Sequence, residues 1–182
     1  MNCEYGAGQL EITFAPMYGI AGPDAGASFK TAVKELCQAR GLIASFMTKP
    51  FGINAVGNGG HFNFSLWKDG NLQGTEFTKR FIAGVLHHAP ALEALCSPTP
   101  PCYERHGHWA PTHANSGYED RMAAIRIKDE YMELRMPSAS SNPYLVVAGL
   151  IAAGLHGVEE ELTGGEKLPT NLPDALLELE KD

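Results

Sequence analysis

The 182-residue chain has a formal net charge of −7, and 44% of its residues are hydrophobic. This length and apolar content suffice for one domain with a sizeable core. The acidic balance and the lack of a basic stripe exclude a non-specific nucleic-acid binder. The longest apolar run, residues 144–155, is too short to span a bilayer, so we expect a buried helix there and no membrane partner.

The cysteine pattern indicates a reducing compartment. Cys3, Cys37, Cys96 and Cys102 form no CxxC pair and have no zinc-type spacing. Four cysteines in a chain of this length do not indicate a disulfide scaffold. Met1 is followed at once by polar and acidic residues, which does not resemble a signal peptide. We therefore expect reduced thiols and a cytoplasmic location.

The predicted elements alternate between strands and amphipathic helices. In chain order they are an opening strand within 2–14, a loop over 15–28, a helix from Ser28 to Gly41, a buried strand over 42–48, a loop over 51–60, a strand over 61–67, a helix over 75–90, a long loop over 97–121, strands over 122–127 and 131–136, a helix from an Asn142 N-cap to about 161, a Gly/Pro loop, and a helix over 173–182. This order indicates an α/β or α+β domain with one sheet and helices outside it.

Two of the strands have a polar face. In 61–67 apolar residues alternate with His61, Asn63 and Ser65. In 131–136, Glu133 and Arg135 share a face with one another, opposite an apolar face. The sheet therefore should present acids, a histidine and an arginine on one side.

Candidate metal ligands come from three segments: Glu4 and Glu11, then His61, then Glu133. Carboxylates with a histidine suit Mg²⁺ or Mn²⁺ better than zinc. Taken singly, each signal is weak, because a strand glutamate is usually solvated or salt-bridged and a lone histidine is usually structural. The arginines that could hold phosphate or carboxylate are Arg105, Arg121, Arg126 and Arg135.

The opening acids need a backbone distortion to act together. Glu4 and Glu11 would point to opposite faces of a regular strand. The intervening Gly6-Ala7-Gly8 can bend or bulge the backbone and bring both to one face. The spacing therefore permits a two-carboxylate clamp.

Five segments occur in the order and spacing of a known family. They are "EYGAGQLEI" (4–12), "KPFGINAVGNGGHFNFSLW" (49–67), "APTHANSGYEDRMAAIRI" (110–127), "ELRMPSASSNPYLVVAGLIAAGLHGV" (133–158) and "LPTNLPDALLEL" (168–179). They resemble segments of the glutamine synthetase catalytic domain, and the resemblance covers essentially the whole chain. It implies an α+β fold with a curved, mainly antiparallel sheet and helices on its outer face.

The resemblance implies roles for the candidate residues. Glu4 and Glu11 match ligands of a first divalent metal, and His61 and Glu133 match ligands of a second. The implied reaction uses ATP to phosphorylate the side-chain carboxylate of glutamate, and ammonia then displaces the phosphate. Two metals align such an in-line transfer, and arginines stabilise the charge that develops.

The remaining carried-over residues contact substrates. Gly57 matches a loop glycine beside glutamate, Arg105 the arginine that holds its α-carboxylate, and Arg135 the arginine at its reacting end. Arg121 and Arg126 match arginines near the ATP phosphates. Arg105, Arg121 and Arg135 are the expected catalytic arginines.

The chain also departs from the family pattern. Val56, Asn63 and Trp109 stand where members often carry asparagine, histidine and an acidic flap residue, and the loop between Arg105 and Trp109 is about two residues short. An amine other than ammonia, or an acid other than glutamate, is therefore open.

The resemblance places residues 1–182 in the C-terminal portion of the catalytic domain, without the N-terminal β-grasp domain and the first catalytic strand. We therefore expect the isolated chain to be inactive, and expect a homo-oligomer of stacked rings with full-length subunits. The alternatives are a lengsin-like, non-catalytic structural or chaperone-type protein of the same fold, and a generic metal-binding α/β domain.

Overall fold

A four-stranded sheet organises the computed structural model, which describes residues 1–162 and 167–182. Residues 163–166, within the predicted Gly/Pro loop, lie outside the described residues. The helices are α1 (Ala21–Gln38), α2 (Thr75–His87), α3 (Ala89–Cys96), α4 (Pro100–Tyr103), α5 (Pro143–Glu159) and α6 (Leu172–Lys181). The strands are β1 (Asn2–Cys3), β2 (Leu10–Glu11), β3 (Phe62–Phe64), β4 (Trp67–Lys68), β5 (Asn71–Leu72), β6 (Ser116–Tyr118), β7 (Ile125–Ile127) and β8 (Met132–Leu134).

The main sheet has the strand order β3-β8-β7-β6. The pairs β3–β8 and β7–β8 are antiparallel, and β6–β7 is parallel. Two antiparallel ribbons, β1–β2 and β4–β5, lie outside this sheet. This arrangement confirms the prediction of an α+β fold with a mainly antiparallel sheet.

The register gives the sheet one apolar and one polar face. Leu134 of β8 lies between Phe62 and Ile125, and all three belong to the core or pack against it. The alternate row places Glu133 between Asn63 and Arg126. Because successive residues of a strand point to opposite faces, the predicted alternation of both strands is confirmed.

Helices α2 and α5 cover the apolar face. Phe81 and Val85 of α2 join Val146 and Leu150 of α5 in the same buried cluster as the sheet residues. The Asn142 side chain accepts a hydrogen bond from the Tyr144 N–H, which confirms the predicted N-cap of α5. Residues 142–143 thus fix the start of the helix that backs the sheet.

The predicted boundaries differ from the structure in two helices. Helix α1 begins at Ala21, inside the predicted loop 15–28, and Asp24 in its first turn accepts a hydrogen bond from the Tyr144 hydroxyl at 2.6 Å. Pro23 is tolerated because a first-turn residue has no helical acceptor for its N–H. The helix predicted over 75–90 ends at His87, and α3 begins at Ala89 with Pro90 in its first turn.

The predicted buried strand over 42–48 is wrong. This segment has no strand partner among the described residues, and the side chain of Ile43 is 95% exposed. An apolar run becomes a buried strand only where a neighbouring strand and a covering layer exist, and the local sequence does not encode either one. The predicted loop 97–121 contains α4 and β6, and the two strands that follow shorten to three residues each, Ile125–Ile127 and Met132–Leu134.

Among the helices of residues 1–162 and 167–182, none combines the length and the apolar character needed to cross a membrane.

Glycines allow α2 and α5 to approach to backbone contact. A Cβ placed on Gly84 would lie 2.2 Å from the carbonyl oxygen of Ala153 and 2.6 Å from Gly157 Cα. A Cβ on Gly157 would lie 2.4 Å from the carbonyl oxygen of Arg80. These contacts involve backbone atoms, so a side chain can be fitted only by separating the two helices.

We predict that Gly84→Ala lowers the free energy of unfolding by about 2–3 kcal/mol, because the added methyl forces α2 away from α5. Urea denaturation measures the effect. Gly22→Ala in α1 is the matched control, since a Cβ there meets no atom within 4 Å and is neutral or stabilising by up to about 1 kcal/mol. Equal stability of the two variants would contradict the helix crossing.

Candidate active site

The opening stretch forms a hairpin that brings its two acids together. Strands β1 and β2 pair with Asn2 opposite Glu11, and the Glu4 N–H donates to the Gln9 carbonyl. Residues opposite one another share a face, and so do Asn2 and Glu4, so Glu4 and Glu11 lie on the same side. Of the two distortions that the sequence allowed, the structure shows a bend: the chain reverses at Gly6–Gly8, with Gly8 at φ +69°.

The two carboxyls form a hydrogen-bonded pair. Partial burial, the hydrogen bond with Glu4 and its charge all raise the pKa of Glu11, and the charge of Glu133 adds to them. A cation beside Glu11 would relieve the repulsion from these neighbouring acids. Glu4 and Glu11 therefore act as one anionic unit within electrostatic reach of the sheet's polar face.

Gln9 fastens this hairpin to the glycine-rich loop. Its Nε2 donates to the Gly57 carbonyl at 3.0 Å and to the Asn58 Oδ1 at 2.7 Å. A Cβ on Gly57 would lie 3.0 Å from Arg105 Cγ. The hairpin, the loop and Arg105 therefore pack as one layer, with glycine required where the loop meets the arginine.

Glu133 is the centre of the polar face. Its Oε1 lies 2.7 Å from Arg135 Nη1 and 3.0 Å from His61 Nδ1, and its Oε2 lies 3.3 Å from Arg126 Nη1. Burial alone would raise the pKa of Glu133, but the hydrogen bond with His61 and the charges of Arg135 and Arg126 outweigh it and lower the pKa to about 2. Glu133 is therefore fully ionised at neutral pH.

His61 is neutral at neutral pH. Burial is the largest effect and lowers the pKa of His61, against the opposing hydrogen bond with Glu133. The neutral ring donates its Nδ1–H to Glu133 and keeps a lone pair on Nε2. His61 thus has the form that a metal ligand requires.

Arg105 is 3% exposed and is held by backbone carbonyls. Its Nη1 donates to the Pro137 carbonyl at 2.9 Å, and its Nη2 donates to the carbonyls of Arg135 and Met136 at 3.1 and 3.0 Å. These bonds use three of five N–H groups. Nε is buried without a partner among the described residues, so Arg105 keeps a donor for an anion.

A buried acid that acts on Arg105 was not predicted from the sequence. Glu93 is fully buried in α3, its Oε1 lies 3.0 Å from His106 Nε2, and its charge acts on Arg105. A glutamate within the apolar sequence "APALEALC" (89–96) was the available signal, because an acid is almost never fully buried without a partner.

Arg135 donates hydrogen bonds to two backbone carbonyls within residues 97–121. Its Nε donates to the Arg121 carbonyl at 2.8 Å and its Nη2 to the Trp109 carbonyl at 3.2 Å. Trp109 has φ +64°, which is rare for a bulky residue, and is 61% exposed. Arg135 thus sets the backbone of the flap position while pairing with Glu133.

The other two predicted arginines differ in how they are placed. Arg126 lies between Glu133 and Glu119, and its Nε is buried without a partner among the described residues. Arg121 is exposed and enters the cluster through its carbonyl. Gly57, Arg105, Arg126 and Arg135 therefore surround the acids closely, whereas the side chain of Arg121 lies at the edge.

The donor chemistry of the four predicted ligands suits a hard divalent cation. Within the described part of the chain, Glu4 and Glu11 form no salt bridge, whereas Glu133 is bound by His61, Arg126 and Arg135. Across residues 1–162 and 167–182, no three His, Cys, Asp or Glu side chains converge into a ready-made cage. The donor types fit a cation at the Glu4–Glu11 pair, and His61 Nε2 offers a further neutral donor at the polar face of the sheet.

We predict that Glu133→Gln lowers the free energy of unfolding by about 3 kcal/mol or more, because it leaves the buried Arg135 without a counter-charge. Thermal or urea denaturation measures it. Glu119→Gln removes the exposed partner of Arg126 and should change stability little. A Glu133→Gln variant as stable as Glu119→Gln would show that the central ion pair carries no stability.

Comparison with known proteins identifies the family of the chain. A family model described as "Glutamine synthetase, catalytic domain" matches residues 1–182. The glutamine synthetase of Pyrococcus furiosus is 37% identical, covering 100% of this chain and 49% of the relative. The glutamate–methylamine ligase of Methyloversatilis universalis is 37% identical, covering 96% of this chain and 48% of the relative.

A solved structure described as "Apo GmaS without ligand" matches with a TM-score of 0.82 and 34% identity, over 90% of this chain and 44% of that one. A second, described as "GmaS/ADP complex-Conformation 1", matches with a TM-score of 0.80 and 32% identity, over 88% of this chain and 45% of that one. The chain spans about half the length of the curated relatives it matches. The chain belongs to the glutamine synthetase family, in the part that forms the catalytic domain.

Proposed function

We propose that residues 1–182 form the later part of the catalytic domain of an ATP-dependent ligase that joins glutamate to ammonia or a small amine. One observation carries the proposal: Glu11, paired with Glu4, lies within electrostatic reach of Glu133, which is itself bound by His61 and Arg135. Family membership supports the same reaction class.

The carboxylates would hold divalent cations. Glu4 and Glu11 would bind one Mg²⁺ or Mn²⁺, and His61 and Glu133 a second, using the Nε2 lone pair and carboxylate oxygens. A bound cation would neutralise phosphate oxygens of ATP and so favour attack by the glutamate side chain.

The arginines would bind and orient the substrates. Arg105 would hold the α-carboxylate of glutamate through its unpaired Nε–H, beside Gly57. Arg135 retains one N–H on each terminal nitrogen and would stabilise charge at the reacting carboxylate. Arg126 and the exposed Arg121 would contact the ATP phosphates.

The flap position determines which amine is accepted. An acidic residue there would favour an ammonium ion by charge, whereas Trp109 offers apolar surface and no charge. One relative at 37% identity is a glutamate–methylamine ligase. We therefore include alkylamines with ammonia as candidate substrates.

The proposal extends to assembly and location. The family resemblance supports a homo-oligomer of stacked rings, with active sites between subunits. The four cysteines are free thiols in the structure, which supports the expected cytoplasmic location.

We predict that the chain binds Mn²⁺ and that Glu4→Gln combined with Glu11→Gln weakens this binding at least about tenfold, because the anionic pair is lost. Isothermal titration calorimetry measures both. Glu76→Gln combined with Glu178→Gln is the matched control, since both residues are paired with exposed lysines. Equal weakening by the two double variants would show non-specific surface binding.

Catalysis is best tested in a chimera in which residues 1–182 replace the matching half of an archaeal relative. With ATP, Mn²⁺, glutamate and either ammonium or methylamine, we expect a γ-glutamyl amide and ADP. Arg135→Lys should lower kcat about 100-fold or more, because the point charge cannot reproduce the guanidinium's contacts. Lys79→Met, on an exposed face of α2, should leave kcat unchanged.

The isolated 182-residue chain should form no product, and robust turnover by it would overturn that expectation. A folded, assembled chimera that binds Mn²⁺ but forms no amide would contradict the ligase proposal. The absence of Mn²⁺ and ATP-analogue binding at millimolar ligand would favour the lengsin-like, non-catalytic alternative. That alternative is favoured by one observation, the full engagement of Glu133 by the protein's own cations.

A further inference from the structure

We propose that the open cavity between α1, residues 44–47 and residues 139–144 is a phosphoryl-binding site, separate from the residues assigned to the ligase reaction. The cavity has a volume of about 480 Å³. Its charged lining consists of two lysines, Lys30 and Lys34, and none of the proposed ligase residues lines it.

The two lysines place uncompensated positive charge on one wall. They lie four residues apart on α1 and so share a face of the helix. Lys30 Nζ donates to the Ser141 carbonyl at 2.8 Å, which leaves two of its N–H groups for a ligand. Lys34 Nζ lies 5.7 Å from the centre of the Phe46 ring.

The repulsion between the two lysines affects the pKa of Lys30. Burial lowers the pKa of Lys30, and the charge of Lys34 lowers it further. Helix α1 carries two acids, Asp24 and Glu35, and neither lines the cavity; Asp24 accepts a hydrogen bond from the Tyr144 hydroxyl at 2.6 Å. A bound anion would relieve the repulsion between the two ammonium groups.

The opposite wall supplies neutral donors and a helix terminus. Ser45 Oγ accepts from the Met47 N–H, so its own hydrogen remains available for a ligand. Asn142 and Pro143 bring the positive end of the 17-residue helix α5 to the cavity. Lysines on one side, and a hydroxyl donor with the positive end of a helix on the other, suit the charge and the several oxygens of a phosphoryl group.

A cluster beneath the cavity keeps one further hydroxyl in place. Ser140 Oγ lines the cavity and lies 3.2 Å from both Thr48 Oγ1 and Cys102 Sγ. The Thr48 carbonyl in turn would lie 3.4 Å from a Cβ on Gly57. The cavity therefore shares supporting residues with the loop at the active site without sharing ligands.

The test is thermal unfolding and calorimetric titration of the chain with inorganic phosphate in EDTA, which removes divalent cations from the acidic site. We expect a saturable rise in Tm that potassium chloride at equal ionic strength does not produce. Lys34→Met should weaken phosphate binding at least about tenfold, because one of two charges is lost while the aliphatic stem can still cover Phe46. Lys79→Met is the matched control and should bind as the parent does.

Glycerol 3-phosphate is titrated in parallel with inorganic phosphate. Tighter binding of glycerol 3-phosphate would indicate a phosphomonoester ligand, and tighter binding of inorganic phosphate would indicate the free anion. Three results would overturn the proposal: no saturable binding of either probe, equal loss in Lys34→Met and Lys79→Met, or loss in Arg126→Met but not in Lys34→Met. The last result would place the phosphate at the ligase site. Because cations and substrates are absent, these outcomes are independent of whether the ligase proposal holds.

Discussion

The ion pair between Glu133 and Arg135 is the constraint on which the rest of the site depends. The two side chains are almost fully buried on the polar face of the sheet, 2.7 Å apart. A buried charge is tolerated only when it is paired, so each residue requires the other. Through Arg135 the pair also fixes the carbonyls of Arg121 and Trp109, and through Glu133 it orients His61 and Arg126.

The apolar face of the sheet packs in the core, and the polar face carries the charged candidate ligand-binding residues. Apolar rows such as Phe62–Leu134–Ile125 anchor the sheet on α2 and α5, whose glycines permit close helix packing. The polar row presents charged side chains at fixed separations, because the packing of the apolar face on α2 and α5 fixes the backbone of the strands. Rigid support of this kind is what preorganised electrostatic stabilisation of a phosphoryl transfer requires.

Local sequence was sufficient where the structure depends on local periodicity. The alternation around His61 and Glu133 and the Asn142 N-cap were predictable, because strand alternation and helix capping are local properties. The exposure of most of 42–48 could not be predicted, since the burial of an apolar segment depends on neighbouring strands. The α1 start was missed because its first turn is tied to a residue far along the chain, through the hydrogen bond from the Tyr144 hydroxyl to Asp24.

The candidate residues of the site could be proposed from the sequence, but the contacts among them could not. Motif order proposed Glu4, Glu11, His61, Glu133 and the arginines as candidates. It gave no indication that Arg105 is bound by three carbonyls or that buried Glu93 lies behind it, because carbonyl contacts leave no side-chain signature. The spacing of Glu4 and Glu11 allowed a bend or a bulge, and the structure has a hairpin at Gly6–Gly8.

The most direct measurement of the central claim is paramagnetic broadening by Mn²⁺ in the ¹⁵N-labelled chain. If the hairpin acids face the polar row of the sheet, substoichiometric Mn²⁺ should broaden the amide signals of Glu4, Glu11, His61 and Glu133 first. The signals of Leu150 and Ala153, buried in α5 on the far side of the sheet, should stay sharp. Broadening that begins elsewhere, or that is unchanged by Glu4→Gln with Glu11→Gln, would contradict a cation site at this face.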